Sequence, residues 1–384
     1  MKNRVLLVLT AIILFSSGCQ AGNKLSGGGK TEAVRGVWIT NVDSDVLTSR
    51  EKIREAVALC KANGINTIFM VTWNKAVTMH PSKVMLEHFG IEQDTLYRGR
   101  DPLAEMIEEA HKENIKVFAW FEFGFSTSYN LDGGHIIAKK PEWAALDSDG
   151  KLVKKNNFEW MNGFHPDVQK FAIELVTEVV RNYQVDGVQG DDRLPAMPSE
   201  SGYDAYTVAL FKKQHSGQEP PADYKDPAWI EWRCNLLTDF MGRMYKAVKE
   251  IKKDVIVSVS PSIHPFAKEE YLQDWTTWVR KGYVELVNPQ LYRYNINAYQ
   301  KLLDDIYSGQ IEKKDLHRFY PGILVKLGKY YPSEEFLLQM IEANRKAGLK
   351  GEIFFFYEAL KRYPGLFKKK IYTDEVVFPD LLHR

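Results

Sequence analysis

From Val34 onward, short apolar runs rich in β-branched residues alternate with stretches of helical period, and the alternation repeats eight times. The runs "VRGVWITNV" (34–42), "INTIFMVTWN" (65–74), "IKVFAWFEFGF" (115–125), "VDGVQGDD" (185–192), "DVIVSVSPS" (254–262), "VELVNPQLY" (284–292), "RFYPGILV" (318–325) and "GEIFFFYEA" (351–359) read as strands. Helical spacing fills 49–64, 99–114, 165–183, 229–252, 269–282, 296–310 and 333–348 between them. Gly64 supplies a C-terminal stop to the first helix, and Asp101 followed by Pro102 supplies a cap and first turn to the second. Near-continuous apolar strands belong to parallel sheets covered on both faces, and eight such strands close a barrel. The expected fold class is therefore α/β, a (β/α)8 TIM barrel forming a single domain over 34–372, with 373–384 as a C-terminal tail. A doubly wound nucleotide-binding sheet would need a Gly-rich turn after an early strand, and the sequence has none.

Ahead of the barrel, Lys2 and Arg4 precede the apolar run Val5–Phe15, then "SSG" and Cys19. This pattern reads as a lipoprotein signal peptide over 1–18, although Ser16 stands where Leu is usual. The run is shorter than the roughly 20 residues that span a bilayer. Cys19 is thus expected to be the lipidated N-terminus, with the polar, Gly-rich 19–33 as a flexible tether. The expected location is the bacterial envelope, exported and lipid-anchored to the outer membrane, facing the periplasm or the cell surface. Cys60 and Cys234 lie in no CxxC or Cys/His cluster, so neither a metal nor a cofactor is expected.

The charge balance of 51 basic and 50 acidic residues gives no footprint for nucleic acid. A neutral partner fits better, and 19 Tyr, 20 Phe and 9 Trp offer faces on which sugar rings stack. The longest connections follow strands three and four, at the end of a barrel where sites are built. Strand one delivers Trp38, Thr40, Asn41 and Asp43 to that mouth, strand two Trp73 and Asn74, and strand three Trp120, Glu122 and Phe123. Strand four adds Gln189, Asp191 and Asp192, strand five Ser260 and Ser262, strand six Gln290, Tyr292 and Arg293, and strand eight Tyr357 and Glu358. His80 and His165 fall near the mouth as loop hydrogen-bonders, whereas Trp275 and Trp278, three apart on a helix, read as packing.

The segment "VDGVQGDDRLP" (185–195) carries the densest chemistry. As a calcium loop it would place Val, Leu, Pro and Met where oxygen ligands belong. As a phosphate loop its adjacent aspartates would repel the ligand. As a barrel strand it sets Gly187, Gln189 and Asp191 on one face, with Asp192 opening the loop and Gly190 leaving room for a ligand. Two crowded carboxylates favour protonation of one, which makes a general acid. Glycoside hydrolysis needs such an acid and a second carboxylate, with Glu122 and Glu358 available. Pairing of an aspartate with Arg193 or Arg293 is the competing structural explanation.

These motifs, "RGVWITNVDSDVL", "TWNKAVTMHPS", "WFEFGF", "PEW" to "NGFHPDVQ", "DGVQGDD" with "SGYDAYT", "DPAWIEWR" and "FFFYE", together resemble the glycosyl hydrolase-like family 10 proteins from Val34 to the end of strand eight. The resemblance implies a TIM barrel, export, and hydrolysis of a β-linked amino-sugar polymer such as peptidoglycan glycan strands stripped of their peptides. Gly190 and Arg193 depart from the large apolar residue and the His or Tyr common in related members. "DGVQGDDR" is also faintly similar to the chitinase strand "DGxDxDxE", with Arg193 where that family keeps its catalytic glutamate. "VNPQLY" resembles that family's sixth strand, which would place Tyr292 against an N-acetyl group.

The resulting expectation is a glycoside hydrolase of a cell-envelope or extracellular polysaccharide. Asp192 is the expected acid, Asp191 tunes it, and Glu122 or Glu358 is the second carboxylate. Trp38, Asn41, Trp73, Asn74, Trp120, Gln189, Gln290 and Tyr292 are the expected substrate contacts. The alternative is a carbohydrate-binding lipoprotein that kept the barrel and lost catalysis.

Overall fold

The computed structural model describes residues 31–383. The segments expected to be a signal peptide, a lipidated Cys19 and most of a tether lie outside the described residues.

Eight parallel strands follow one another in chain order around one sheet: β1 Arg35–Ile39, β2 Thr67–Val71, β3 Lys116–Phe121, β4 Gly187–Gly190, β5 Ile256–Val259, β6 Leu286–Val287, β7 Gly322–Leu324 and β8 Glu352–Phe355. Register runs evenly, for example Gly36 opposite Thr67 and Gly187 opposite Phe118. Ladder pairing is regular from β7 through β8 and β1 to β6, and the remaining seam closes by the single parallel bridges Val287–Phe319 and Gln290–Gly322. Pro289 sits in that seam with no N–H to offer the ladder, and its carbonyl accepts from Gly322 N at 2.8 Å. The expected (β/α)8 fold is the one observed.

Outside the sheet lie α1 Arg50–Ala62, α2 Pro102–Lys112, α3 Pro166–Asn182, α4 Pro227–Ile251, α5 Trp275–Arg280, α6 Ile296–Asp305 and α7 Glu334–Lys346. Asp101 caps α2 through Ala104 N with Pro102 in the first turn, as its sequence requires. Three segments differ from the expected elements. The helix expected over 269–282 is two helices, Phe266–Tyr271 and α5, because Leu272 turns left-handed (φ 52°) and Asp274 caps a new start through Thr277 N. The helix expected to 310 ends as α-helix at Asp305 and widens over Ile306–Gln310, where Gly309 leaves helical geometry. The last strand stops at Phe355, and Tyr357–Arg362 is a short 3-10 turn. In place of an eighth full helix stand this turn and a wider, π-helical one at Phe367–Ile371.

The C-terminal segment is tied to the base of the barrel. Val376–Val377 pairs with Thr31–Glu32, and Arg35 Nη2 meets Asp374 Oδ1 at 2.6 Å. Inside, aromatic rings fill the barrel in contact with one another, Trp38 on Phe69 and Trp120, and Phe69 on Phe118. Trp275 and Trp278 are buried packing residues, as their spacing predicts.

Candidate active site

Strand period decides which side chains of β4 enter the barrel. Gln189 points inward and is fully satisfied there: it accepts from Trp38 Nε1 at 2.7 Å and donates to Ser258 Oγ and Asn288 Oδ1, both at 2.9 Å. Two residues on, Asp191 points the same way at the mouth, where its Oδ1 accepts from Gln290 Nε2 at 2.9 Å. The chain then folds back over two glycines. A Cβ on Gly190 would lie 2.0 Å from the Leu194 carbonyl, and one on Gly124 would lie 2.0 Å from that of Arg193. The space beside Gly190 is therefore taken by backbone, and the room for a ligand expected there is absent.

This return path aims Arg193 into the mouth. Its Nε donates to the Glu122 carbonyl at 3.1 Å and its guanidinium lies over the Phe158 ring at 4.7 Å. Around it stand three carboxylates: Asp192 Oδ1 at 3.0 Å from Nη1, Asp191 Oδ2 at 3.4 Å from Nη2, and Glu122 Oε1 at 4.0 Å from Nη2. The contact with Asp192 Oδ1 is an ion pair off the hydrogen-bond axis. Burial would lower the Arg193 pKa, but Asp192, Asp191 and Glu122 together hold it above its ordinary value. Arg293 takes no part and donates to the carbonyl of its neighbour Tyr292.

Glu122 follows β3 directly. Its Oε2 accepts from Asn74 Nδ2 at 3.0 Å and Thr40 Oγ1 at 3.2 Å, both neutral donors. Burial pushes its carboxyl up to about 7, against the partial opposition of Arg193. Asp191 is likewise raised well above the usual carboxylate range, by burial first and by the neighbouring charge of Asp192 second. Burial, and then the negative field of Asp191, Asp192 and Glu122, pushes the Tyr292 hydroxyl well up too, and its ring packs on Phe355 at 5.5 Å between centroids. Two carboxyl groups at this end of the barrel are thus raised, Glu122 to about 7, which lets it hold a proton near neutral pH as a proton donor must.

A cavity of about 600 Å³ opens over Glu122, with Thr40, Asn74, Lys75 and Arg193 at its polar side. Asp43, Thr127, Ser128 and His135 also line it, and the rest of the wall is mostly apolar: Phe123, Tyr129, Leu131 and Phe158 from the connection after β3, and Leu327, Phe355 and Phe356 from β8 and the chain just beyond β7 and β8. Asn41 joins through its Oδ1, which accepts from Asn74 at 2.8 Å.

Several expected site residues are elsewhere. Trp38, Trp73 and Trp120 are each 1% exposed, so none offers a face to a sugar. Trp38 and Trp120 pack within the barrel, while Trp73 lies against Phe171 with its indole bonded to the Gly124 carbonyl. Gln189 sits below the mouth, consumed by its three partners. Glu358 rides on the turn after β8, accepts from Ser44 Oγ at 2.9 Å and pairs with Lys361 at 2.7 Å, and does not line the cavity. His80 is wholly buried against Tyr183, and His165 caps α3.

The wall formed by Tyr129, Leu131 and Phe158 is not among the sequence expectations. It comes from the connection after β3, which folds into an antiparallel sheet of Ser126–Tyr129, Lys154–Lys155 and Phe158–Trp160 with a helix at Gly134–Lys139. Alternation at Ser126–Tyr129 and Phe158–Trp160 was a usable signal, but these runs are short.

The model described as Glycosyl hydrolase-like 10 matches residues 33–326. Glycosyl hydrolase DigH of Escherichia coli K12 is 26% identical over 68% of the chain and 66% of DigH, so the chain spans just under two thirds of that relative. Glycosyl hydrolase YngK of Bacillus subtilis is 23% identical over 91% of the chain and 73% of YngK. Among solved structures, the PgaB (BpsB) glycoside hydrolase domain from Bordetella bronchiseptica superposes with a TM-score of 0.65 at 14% identity, covering 87% of this chain and 97% of that one. The β-amylase catalytic domain from Paenibacillus polymyxa does so at 0.62 and 10% identity, covering 90% and 100%. At these identities the likeness speaks for the barrel fold. The sequence relatives support a glycosidase-type function.

Proposed function

The chain belongs to the glycosyl hydrolase-like 10 family, and from that premise we propose that it cleaves glycosidic bonds of a cell-envelope or extracellular polysaccharide, peptide-free peptidoglycan glycan strands being the favoured substrate. The observation that carries this reading is Glu122: a carboxyl facing the cavity whose burial pushes it up to about 7. A protonated Glu122 donates its proton to the leaving glycosidic oxygen, and the carboxylate left behind is held by Asn74, Thr40 and Arg193. Asp192, which does not itself line the cavity but is ion-paired with the lining Arg193 and is the more exposed of the adjacent aspartates, serves as the second carboxylate, base for water or nucleophile. Asp191, bonded to Gln290, tunes the pair. The expected roles of Asp192 and Glu122 are thus exchanged, because the guanidinium stands 3.0 Å from Asp192 and 4.0 Å from Glu122.

Incubation with peptide-free peptidoglycan glycans is expected to release new reducing ends. Glu122→Gln is expected to lower turnover about 10²- to 10⁴-fold, the usual contribution of a positioned acid. The rival reading, a lipid-anchored carbohydrate binder without catalysis, is favoured by one observation, the single guanidinium within 4.0 Å of all three carboxylates. Binding of the glycans with no product, unchanged in Glu122→Gln, would select it.

A further inference from the structure

At one edge of the cavity two short strands, Trp73–Asn74 and Val77–Thr78, pair antiparallel and are joined by Lys75 and Ala76 alone. Both joining residues have positive φ, 53° and 60°. A two-residue hairpin with this backbone is ordinarily built from Asn-Gly or Gly-Gly, since side chains resist it. Here a side chain is kept at each position. Ala76 is buried, and Lys75 is exposed over the cavity. The Lys75 N–H donates to Asn74 Oδ1 at 2.8 Å, and the same Asn74 amide donates to Glu122 at 3.0 Å. One asparagine therefore fixes both the turn and the candidate acid.

The other cation lining the cavity, Arg193, is engaged by carboxylates. Among the described residues the Lys75 ammonium has no hydrogen bond or ion pair, although its field reaches Glu122. A neutral sugar offers this cavity-facing ammonium only hydroxyl or amide-carbonyl acceptors, whereas a carboxylate offers a charge-assisted hydrogen bond roughly twice as strong. A doubly charged anion would find only one free positive charge on these walls to balance it, beside the Asp43 carboxylate.

Resting on the glycosidase reading, we propose that Lys75 is a specificity residue that binds a single carboxylate carried by the substrate sugar beside the scissile bond. The site then takes an acidic glycan and discriminates against its neutral counterpart. The test compares an acidic oligosaccharide with its carboxyl-reduced form as substrates for the wild type, Lys75→Met and Lys75→Arg. The wild type is expected to prefer the acidic glycan by about tenfold to a hundredfold in kcat/KM, the range of a charge-assisted contact. Lys75→Met is expected to lose that preference through KM on the acidic glycan alone, and Lys75→Arg to regain it. An equal loss on both glycans, or no wild-type preference, overturns the proposal. If neither glycan is cleaved, the glycosidase reading fails by itself. Calorimetric binding of the same two glycans to wild type and Lys75→Met then decides the Lys75 proposal by the same criterion of preference.

Discussion

Glu122 and Glu352 are glutamates of one barrel, Glu122 largely buried just past the C-terminal end of β3 and Glu352 fully buried at the N-terminal start of β8. Glu352 meets the Arg345 guanidinium with both oxygens at 2.8 Å, and accepts from Tyr372 Oη at 2.6 Å and Asn344 Nδ2 at 3.1 Å. Burial alone would raise its pKa, but Arg345 outweighs burial and holds it below the usual carboxylate range. Glu122 has two neutral donors and a guanidinium only at 4.0 Å, and burial wins. The more deeply buried glutamate is the structural anion at the base, and the less buried one, 15% exposed, is the proton reservoir at the mouth. Depth sets the penalty for charge, and the nearest cation decides whether it is met.

The largest expected effect separates the two ends by stability. Glu352→Gln removes the counterion of the partly exposed Arg345 and unbalances the hydrogen bonds of a fully buried site. It is expected to cost about 3 kcal/mol in denaturant unfolding, the low end for a buried pair because water reaches Arg345. Glu122→Gln is expected to fold at least as stably as the wild type while losing turnover. Equal destabilisation of the two variants would break the contrast.

The pH dependence should run in opposite directions. With a carboxyl pKa of 4.5 in the unfolded chain and about 7 in the fold, Glu122 leaves stability untouched below pH 4.5. As pH rises through that window, the unfolded chain ionises first and stability is lost, reaching a total of about 3 kcal/mol above pH 7. Unfolding free energies of wild type and Glu122→Gln, measured from pH 4 to 8, should diverge across this window in favour of the variant. Glycan cleavage by the wild type should fall as pH rises through about 7, where the donor proton is lost. Glu352 contributes the reverse: its stabilisation is present above pH 4.5 and is lost as pH falls through its depressed pKa.

A smaller pair of effects sharpens the line between core and wall. Trp38→Phe removes the indole donor from buried Gln189 and is expected to cost about 1–3 kcal/mol of stability, with KM unchanged. Tyr129, 51% exposed and edge-on to Phe158, is a cavity wall. Tyr129→Ala is expected to raise KM several-fold, about 1 kcal/mol of stacking, while leaving the unfolding midpoint in place. Calorimetry of unfolding beside steady-state kinetics measures both.

Legibility followed the range of the forces. All eight barrel strands stood in the sequence, because apolar alternation with helical stretches is a local pattern. Strand ends also carried Glu122, Asp191, Asp192, Asn41, Asn74, Gln290 and Tyr292, and the structure gathers all seven around one mouth. The tryptophans misled for a physical reason: a barrel strand end has an inward and an upward direction, and residue type does not tell them apart. Glu358 misled because the strand breaks after Phe355, and the following turn carries its carboxylate to Ser44 and Lys361.

What the sequence by itself determined is the barrel, its strand order and the acidic, aromatic character of its mouth, since each rests on neighbours within one element. What only the tertiary structure decided is which carboxyl keeps a proton. That depends on how far Arg193 stands from Glu122, 71 residues before it in the chain, and on how much water the sheet after β3 excludes. Desolvation and charge act through space, over distances that no local pattern in the chain encodes.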